Sequence, residues 1–304
     1  MQKKVLVTGA SGFIGKRLVG TLTEEGWGVR AAMREPSAVA LAGVETVALP
    51  DLSRPVDWRP LLEGVTHIVH LAGLAHSPGV LADAVYDRIN ADAAGELAQA
   101  ATGIERFVLM SSVRAQAGLS ADYTITEENE PKPTDAYGRS KLAAERLVAE
   151  SGTRFSILRP VVVYGPGVKG NIANLATLAR TPMPLPFGAL DNRRSLLAIE
   201  NLISAIDLTL VSERALGETF LVADRDPITV ADLVTAMREG LRRAPHLMKV
   251  PQGAVRRLMA SFGKEADWER VSGSFVVDAA KLESIGWEPA VSTYDGIKAM
   301  MQDA

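Results

Sequence analysis

The sequence predicts an α/β protein that is built on a doubly wound parallel sheet and ends in a smaller, irregular region. Strand-like and helix-like segments alternate strictly over the first half of the 304 residues, which is typical of a parallel sheet with helices on both faces. After about Tyr164, proline- and glycine-rich turns replace this alternation. We therefore expect a first domain over residues 1–165 and a cap over residues 166–304, interleaved with it in space.

The elements of the first domain follow one another in a regular order. Six strands are predicted from short apolar runs, which read KKVLVTGA, GVRAAM, GVETVAL, THIVHLAG, ERFVLMSS and TRFSILRP. Helices are predicted over Gly12–Glu25, in WRPLLEG, over Leu81–Ala101 and over Asp135–Glu150. In the second half, helices near Asn201–Val211 and Val230–Leu241 flank the short strand TFLVAD. Right-handed crossovers between such strands produce the doubly wound order.

The composition excludes several classes of function. The chain is 47% hydrophobic with a net charge of −3, so no positive field favours nucleic acid. It contains no cysteine, which excludes disulfides, thiol nucleophiles and cysteine-based metal centres, and its four histidines show no ligand spacing, so no metal is expected. Strand-like sequence begins by Lys3 or Lys4, and no apolar run is long enough to span a bilayer. We expect a cytoplasmic protein with neither a membrane nor a nucleic acid as partner.

Three glycines interrupt the chain directly after the first predicted strand. In VLVTGASGFIG they are Gly9, Gly12 and Gly15, spaced by three and followed by a helix. Gly9 permits a tight turn, Gly12 lets backbone N–H groups approach a ligand, and Gly15 allows close helix packing. The helix N-terminus attracts phosphate. We interpret the loop as a dinucleotide pyrophosphate site rather than an ordinary surface turn. Its other predicted cofactor contacts are Ser11, Phe13 and Ile14.

The end of the second predicted strand bears on which dinucleotide is bound. NAD sites usually place an acid there for the ribose 2′-hydroxyl, but this sequence has Met33 followed by Arg34. A guanidinium suits a 2′-phosphate, and Ser37 would add a hydroxyl. The pattern favours NADP(H), with NAD(H) as the alternative. After the third strand, Asp51 and Leu52 are placed near the adenine, although an ordinary loop acid is an equal interpretation.

A serine, a tyrosine and a lysine are predicted at one edge of the sheet. Ser112 ends the fifth strand, and Tyr137 and Lys141 lie four residues apart on a predicted helix, so they share a face. Parallel sheets bind ligands at this edge. A neighbouring ammonium lowers the pKa of a phenol, which can then exchange a hydroxyl proton, while Ser112 donates to the substrate oxygen. These residues favour hydride transfer at a carbon that bears oxygen; the alternative is an unremarkable helix start and strand end.

With these residues placed, the chain resembles the extended short-chain dehydrogenase/reductase family, also called the NAD-dependent epimerase/dehydratase family. The matching motifs are TGASGFIG (Thr8–Gly15), HLAG, FVLMSS and YGRSK, together with LRPVVVYGPG and LPFGALDNRRSLLAIENL. The resemblance covers nearly the whole chain. It implies a Rossmann fold and an NAD(P) enzyme that acts on a nucleoside-diphosphate sugar, with Ser112, Tyr137 and Lys141 as the catalytic residues.

The resemblance also implies the residues that surround the two ligands. Cofactor contacts beyond the glycine loop are implied at Leu71, Ala72, Gly73, Tyr137, Lys141 and Pro160. Substrate contacts are implied at Ser112, Val113, Asn171 and Arg194. Of these, Arg194 matches an arginine that holds the substrate pyrophosphate. Val113 and Arg114 stand where the family's 4,6-dehydratases carry Asp-Glu, so a dehydratase is excluded.

Within the family, the stretch from GPGVKGN through NRRSL is most similar to bacterial UDP-sugar 4-epimerases and 4-keto-6-deoxyhexosamine reductases of surface-polysaccharide pathways. The missing acid after the second strand argues against tightly retained NAD, so we expect NADPH-dependent reduction of a UDP-4-keto-(6-deoxy)hexosamine. One alternative is a UDP-sugar 4-epimerase with bound NAD. Another is a non-catalytic NADP-sensing regulator, which would not need the Tyr137–Lys141 pair. A reductase of steroid or flavonoid ketones would give Arg193 and Arg194 nothing to bind. A homodimer is implied by the family alone.

Two further features were weighed. The stretch VRRLMASFGK (Val255–Lys264) mixes basic and apolar residues and so could touch a membrane, but we favour a cap helix over the substrate cleft. His76 follows the fourth strand and is considered a pocket residue on position alone. The other histidines, His67, His70 and His246, are expected to be structural.

Overall fold

The computed structural model describes residues 3–36, 43–75, 81–261, 268 and 272–302. Within these ranges the strands are β1 (Lys4–Thr8), β2 (Gly28–Met33), β3 (Glu45–Ala48), β4 (His67–His70), β5 (Arg106–Met110), β6 (Thr124–Ile125), β7 (Phe155–Pro160), β8 (Val162–Tyr164), β9 (Arg193–Arg194), β10 (Leu196–Ala198), β11 (Thr219–Val222), β12 (Ile228–Thr229) and β13 (Val276–Val277). The helices are α1 (Phe13–Glu24), α2 (Arg59–Leu62), α3 (Asp83–Tyr86), α4 (Ala93–Ala100), α5 (Ala136–Glu150), α6 (Asn171–Ala179), α7 (Ile199–Val211), α8 (Val230–Gly240), α9 (Gln252–Ser261), α10 (Ala280–Ser284) and α11 (Thr293–Gln302).

Seven strands form one parallel sheet in the order β11-β7-β5-β4-β1-β2-β3. The chain begins in the middle, runs outward to β3, and returns to place β4 on the other side of β1. This reversal between β1 and β4 leaves a crevice at the carboxyl ends of the strands, which is where such sheets bind ligands. The predicted doubly wound parallel fold is confirmed. TFLVAD supplies β11 and extends this sheet beside β7.

Helices cover both faces of the sheet because successive strand residues point to opposite sides. On one face, Val5 and Val7 of β1 pack in a buried cluster that includes apolar residues of α1 and α7. On the other face, Leu6 packs in a second cluster with residues of α4 and α5. The central strand β5, RFVLM, is buried along its whole length. Fully buried strands of this kind explain why the sequence shows continuous apolar runs rather than alternation.

The long helix predicted over Leu81–Ala101 is present but is not uniform. It consists of α3, a π-helical segment at Asp87–Asp92 and α4. π-helical turns inside helices are frequent at functional sites, and this one contains the buried Asn90. By contrast, the helix predicted over Asp135–Glu150 is regular. It corresponds to α5, with Asp135 as the residue that caps its first turn.

The cap has its own apolar core and two segments that are tied together. Its buried cluster joins residues of β8 and β10 with residues of α6, α8 and α11. Leu185 and Met248 belong to the two tied segments, and the amide of Met248 donates to the carbonyl of Leu185 at 2.9 Å. The fully buried Arg238 donates to backbone oxygens in both segments. These acceptors are the carbonyls of Thr181, Met183, Pro245 and His246.

Candidate active site

The glycine loop forms a close-packed cradle between β1 and α1. Gly9 has a φ of +70°, and a Cβ on it would lie 2.9 Å from the amide nitrogen of Ala72. A Cβ on Gly15 would lie 2.4 Å from the carbonyl oxygen of Gly9, so α1 can approach the loop only with glycine there. Gly12 caps α1 without a side chain. Because Gly12 has no side chain, nothing at this position competes for the first backbone N–H groups of α1. The cradle therefore fits a diphosphate.

The loops after β2 and β3 leave the sheet at the same edge as the glycine loop, because β1, β2 and β3 are parallel neighbours. Arg34 directly follows β2 and is exposed, whereas Met33 is buried in the core. Ser37 lies outside the described residues. Asp51 accepts hydrogen bonds from the amide and hydroxyl of Ser53, which hold its pKa below the usual range. Leu52 is buried among apolar residues of the core. The contact of Asp51 and Leu52 with an adenine stays a prediction.

At the end of β4, a buried polar pair shapes the HLAG stretch. The hydroxyl of Thr8 lies 2.9 Å from Nδ1 of His70, and the amide of Ala72 donates to the same hydroxyl at 3.2 Å. Burial lowers the pKa of His70 to about 3, and the nearby charge of Lys141 adds to that effect. His70 is therefore neutral and serves the architecture of the loop. His76 lies outside the described residues.

Asn90 clamps the chain that follows HLAG, and the sequence analysis did not identify it. Its side-chain oxygen accepts from the amide of Leu74 at 2.7 Å, and its Nδ2 donates to the carbonyl of Leu74 and to the hydroxyl of Ser140. A Cβ on Gly73 would lie 2.7 Å from the Asn90 oxygen. Asn90 thus ties the β4 loop to α5. The available signal was an asparagine inside an alanine-rich helix.

The structure brings Ser112, Tyr137 and Lys141 together in one cleft. Ser112 follows the carboxyl end of β5, and Tyr137 lies in the first turn of α5 and lines the same cleft. One turn further, the Lys141 ammonium donates to the carbonyl of Met110 at 2.7 Å. A Cβ on Gly73 would lie 3.8 Å from this ammonium, so Lys141 spans from β5 to the loop after β4.

The electrostatics of the pair differ from the expectation based on spacing. Burial raises the pKa of the Tyr137 phenol, while the Ser112 hydroxyl and the charge of Arg114 act to lower it. Burial lowers the pKa of Lys141 to about 8, and the carboxylate of Glu145 opposes that shift. We expected Lys141 to lower the pKa of Tyr137. In the protein without ligands, the ammonium of Lys141 is directed to the carbonyl of Met110 instead. The groups that lower the pKa of Tyr137 are Ser112 and Arg114.

A buried polar network supports the three residues from behind. Glu145 lies one turn after Lys141 on α5. Its carboxylate accepts hydrogen bonds from Nε of Arg159 at 2.9 Å and from the hydroxyl of Ser111. Arg159 also donates to Gln116. The network therefore joins α5 to β5 and β7, the elements that carry the cleft. Sequence reasoning missed it, although an arginine within the otherwise apolar strand SILRP was a signal.

A second ion pair fixes the start of α5. Asp135 accepts the amide of Gly138 at 2.7 Å with one oxygen and the guanidinium of Arg114 at 2.6 Å with the other. A Cβ on Gly138 would lie 2.3 Å from the carbonyl oxygen of Arg114. Because only glycine fits there, the helix approaches the Ser112 turn closely enough for Tyr137 to reach it. The Arg114–Asp135 pair lies at the rim of the same cleft.

Much of the cleft lining comes from residues of the cap. The cleft has a volume of about 1430 Å³, and its lining includes Phe13, Ile14, Leu71, Gly73, Val113, Pro160, Asn171 and Arg194 from the predicted contacts. Asn171 is the exposed first residue of α6. Arg194 donates to the carbonyls of Gly273 and Leu119 and stacks over Phe275. These contacts hold its guanidinium beside the cleft, and its contact with a pyrophosphate stays a prediction.

Two other properties bear on the kind of site. Among the residues that the structure describes, no group of three histidine, aspartate or glutamate side chains could hold a metal ion. In the same part of the chain, no helix is both long and apolar enough to cross a membrane.

Comparison with known proteins agrees with this geometry. The model of the NAD dependent epimerase/dehydratase family matches residues 5–223. A Vibrio cholerae protein named UDP-glucose 4-epimerase is 32% identical over 99% of this chain and 95% of its own length. The GDP-6-deoxy-D-mannose reductase of Pseudomonas aeruginosa is 28% identical over 100% of this chain and 97% of its own.

Solved structures show the same fold over nearly the whole length. MoeE5 in complex with UDP-glucose and NAD superposes with a TM-score of 0.75 at 25% identity, covering 98% of this chain and 97% of that one. The Bordetella bronchiseptica enzyme WbmG in complex with NAD gives a TM-score of 0.79 at 21% identity, covering 99% of this chain and 93% of that one. The chain therefore belongs to the NAD dependent epimerase/dehydratase family and is an enzyme of the nucleotide-sugar epimerase and reductase kind.

Proposed function

We propose that the protein is an NADPH-dependent reductase of a UDP-4-keto-(6-deoxy)hexosamine. The observation that carries the proposal is that an exposed arginine, Arg34, and not an acid comes directly after β2, with Glu35 behind it, at the sheet edge where Ser112, Tyr137 and Lys141 converge. A cofactor that exchanges at every turnover suits net reduction, whereas an epimerase must keep its dinucleotide to return the hydride. Arg34 supports a contact with a 2′-phosphate because a guanidinium pairs two phosphate oxygens.

The residues present fit a bound nicotinamide dinucleotide. The cradle of Gly9, Gly12 and Gly15 leaves room for a diphosphate over α1. Lys141 lies where it can reach ribose hydroxyls beside Gly73. When bound, NADPH supplies the hydride. The chain itself supplies the proton, the orientation of the ketone and the exclusion of water.

The proton chemistry belongs to Ser112 and Tyr137. In the proposed reaction, the phenol of Tyr137 donates its proton to the ketone oxygen as negative charge develops there. Ser112, which lines the same cleft, donates to the same oxygen and stabilises the charge. The raised pKa of Tyr137 keeps the phenol protonated at neutral pH, which is the state that a reduction requires. The ammonium of Lys141 then favours the phenolate that remains.

The nucleotide part of the substrate is assigned to the cap. Asn171 and Arg194 line the cleft on the side away from the glycine loop, and an arginine fork suits a diphosphate. Val113 is buried at the turn after β5, beside Ser112. The position of an acid–base pair for removing water is thus taken by an apolar side chain and by Arg114, which pairs with Asp135.

A UDP-sugar 4-epimerase with bound NAD is the second candidate. It is favoured by the Vibrio cholerae relative of that type and by the NAD present in the similar structures. The same three residues serve both reactions, because an epimerase first removes and then returns the hydride. What separates the candidates is therefore the fate of the cofactor rather than the geometry around Tyr137.

Mass spectrometry of the dinucleotide released from purified protein, followed by incubation with UDP-sugars and with their 4-keto forms, distinguishes the two. The proposal predicts little retained dinucleotide and NADPH consumption with a 4-keto sugar. Stoichiometric retained NAD, with interconversion of C4 epimers and no net use of NADPH, would overturn it in favour of the epimerase.

A further inference from the structure

Two segments of the cap, residues 166–190 and 241–261, are basic and contain no acidic residue. Together they hold seven lysines and arginines and no aspartate or glutamate, although the whole chain has a net charge of −3. All seven are exposed. They are Lys169, Arg180, Arg242, Arg243, Lys249, Arg256 and Arg257. We call the exposed surface of these two segments the cap face.

The two segments form a single surface rather than two separate patches. The amide of Leu185 donates to the carbonyl of His246 at 3.0 Å, and the amide of Met248 donates back to Leu185. The buried Arg238 ties the same two segments from below. The guanidinium of Arg243 donates to the carbonyl of Arg180, which brings a basic side chain of one segment onto the other. The two basic segments are therefore adjoining parts of one surface.

The cap face also exposes large apolar side chains. Leu178, Met183 and Met248 are 40%, 60% and 46% exposed. Exposed methionine and leucine beside basic groups are poorly suited to a purely electrostatic partner such as nucleic acid. They are suited to the interface of an anionic bilayer, where apolar side chains enter the headgroup boundary and lysine and arginine attract the lipid phosphates.

Helix α9 belongs to the cap face and to the cleft at the same time. Val255 is buried and lines the cleft, while Arg256 and Arg257 are exposed on the other side. Leu178 and Lys169 likewise lie on the cap face and line the cleft. The basic and apolar surface thus continues to the entrance of the active site.

We propose that the cap face docks the enzyme on an anionic phospholipid bilayer, with the cleft entrance at the lipid surface. Two features favour this partner: the positive charge of the cap face complements anionic lipids, and its exposed apolar side chains can enter the headgroup boundary. This inference goes beyond the reductase function and does not depend on it. It also revises the expectation that no membrane is a partner, and it extends the basic and apolar mixture noted in VRRLMASFGK to a surface made of two segments.

Sedimentation of the full chain with vesicles tests the docking. We expect binding to phosphatidylcholine vesicles that contain phosphatidylglycerol and none to phosphatidylcholine alone. A triple variant, Arg242→Gln, Lys249→Gln and Arg257→Gln, should weaken the partition coefficient by about 100-fold, since each basic residue near an anionic surface contributes roughly fivefold. The matched control, Lys132→Gln, Arg146→Gln and Arg225→Gln, removes the same charge from exposed sites outside the cap face and should change binding little.

A second pair of variants separates a bilayer from a soluble polyanion. Met183→Ser with Met248→Ser should weaken vesicle binding several-fold without changing turnover of a soluble substrate, which shows that the fold is intact. Absence of binding to the anionic vesicles would overturn the proposal. So would tight binding to polyuridylate that the methionine changes leave unaffected, because a polyanion partner gains nothing from apolar insertion.

Discussion

The catalytic edge of the sheet and the cap are built on opposite principles. Around Tyr137, charged groups are buried and paired: Glu145 with Arg159, and the ammonium of Lys141 with a backbone carbonyl. In the cap, the cleft walls are mainly apolar, and the charges of the cap face are exposed and basic. The difference teaches that a polar network on regular elements fixes the positions of Tyr137 and Lys141, whereas segments outside the sheet form much of the remaining cleft.

The largest effect that this comparison predicts is at the phenol. Tyr137→Phe should lower turnover by about 10²- to 10⁴-fold, the usual contribution of a positioned acid or base. The ring still fills its place, so cofactor affinity measured by fluorescence titration should be nearly unchanged. Retention of most of the turnover would remove Tyr137 from the chemistry and with it the distinction between the two regions.

The polar network should be important for stability. Glu145→Ala leaves the buried guanidinium of Arg159 without its carboxylate, so the free energy of unfolding in urea should fall by about 3–5 kcal/mol. Glu150→Ala, at the exposed end of the same helix, is the matched control and should change it by less than about 0.5 kcal/mol. Equal effects of the two changes would show that the network is not what holds α5.

Lys141 should destabilise the fold at neutral pH, because its charge is buried, although the proposed function requires it. Burial lowers its pKa from 10.5 to about 8, so the folded state releases a proton that the unfolded chain still binds between those values. Stability should therefore rise as the pH increases from 8 towards 10.5, by at most about 3 kcal/mol. Below pH 8 the whole penalty is present, because both states are protonated.

Replacing this lysine should accordingly stabilise the protein at neutral pH. Lys141→Met removes that penalty but leaves the carbonyl of Met110 without its donor, which costs about 1–2 kcal/mol. We expect a net gain of about 1–2 kcal/mol at pH 7 by urea unfolding, with loss of the pH-dependent rise. A variant that is less stable at pH 7, or that keeps the full rise, would contradict the assignment.

The smallest effect concerns the cofactor end of the crevice. Arg34→Ala should lower the preference for NADPH over NADH by about tenfold, since a charge-assisted hydrogen bond contributes about 1.5–3 kcal/mol. Arg17→Ala, another exposed arginine near the glycine loop on α1, should leave the ratio of the two dissociation constants unchanged. A wild-type protein that already prefers NADH would remove the argument from Arg34.

Residues whose partners are close in sequence could be predicted, whereas residues whose partners lie on distant elements could not. The glycine loop, Ser112, and the Tyr137–Lys141 pair were found because each is a local pattern tied to one strand end or one helix turn. Asn90 and the Glu145–Arg159 pair were not, because their partners lie on different elements and no local spacing marks them. The direction of the Lys141 ammonium likewise depends on burial, which is a property of the packed structure.

In the cap, too, local patterns were predictable and contacts between distant segments were not. Its helices near Asn201–Val211 and Val230–Leu241 were predicted from periodicity and are present as α7 and α8. Of the cap face, the sequence showed only the basic and apolar mixture of Val255–Lys264. The complete face arises from two segments far apart in sequence, which meet through the backbone hydrogen bonds of Leu185 and through Arg238. The net charge of −3 is a sum over the whole chain, so it does not reveal a local basic surface.

The most direct test of the central claim is an isotope experiment with wild-type protein. NADPH carrying deuterium at the transferable position of the nicotinamide is incubated with a UDP-4-keto-6-deoxyhexosamine, and the product is examined by mass spectrometry and NMR. Reduction at the Ser112–Tyr137–Lys141 cleft predicts one deuterium at C4 of the sugar for each NADPH oxidised, and none with Tyr137→Phe. A product formed without deuterium, or equal labelling by the variant, would contradict it.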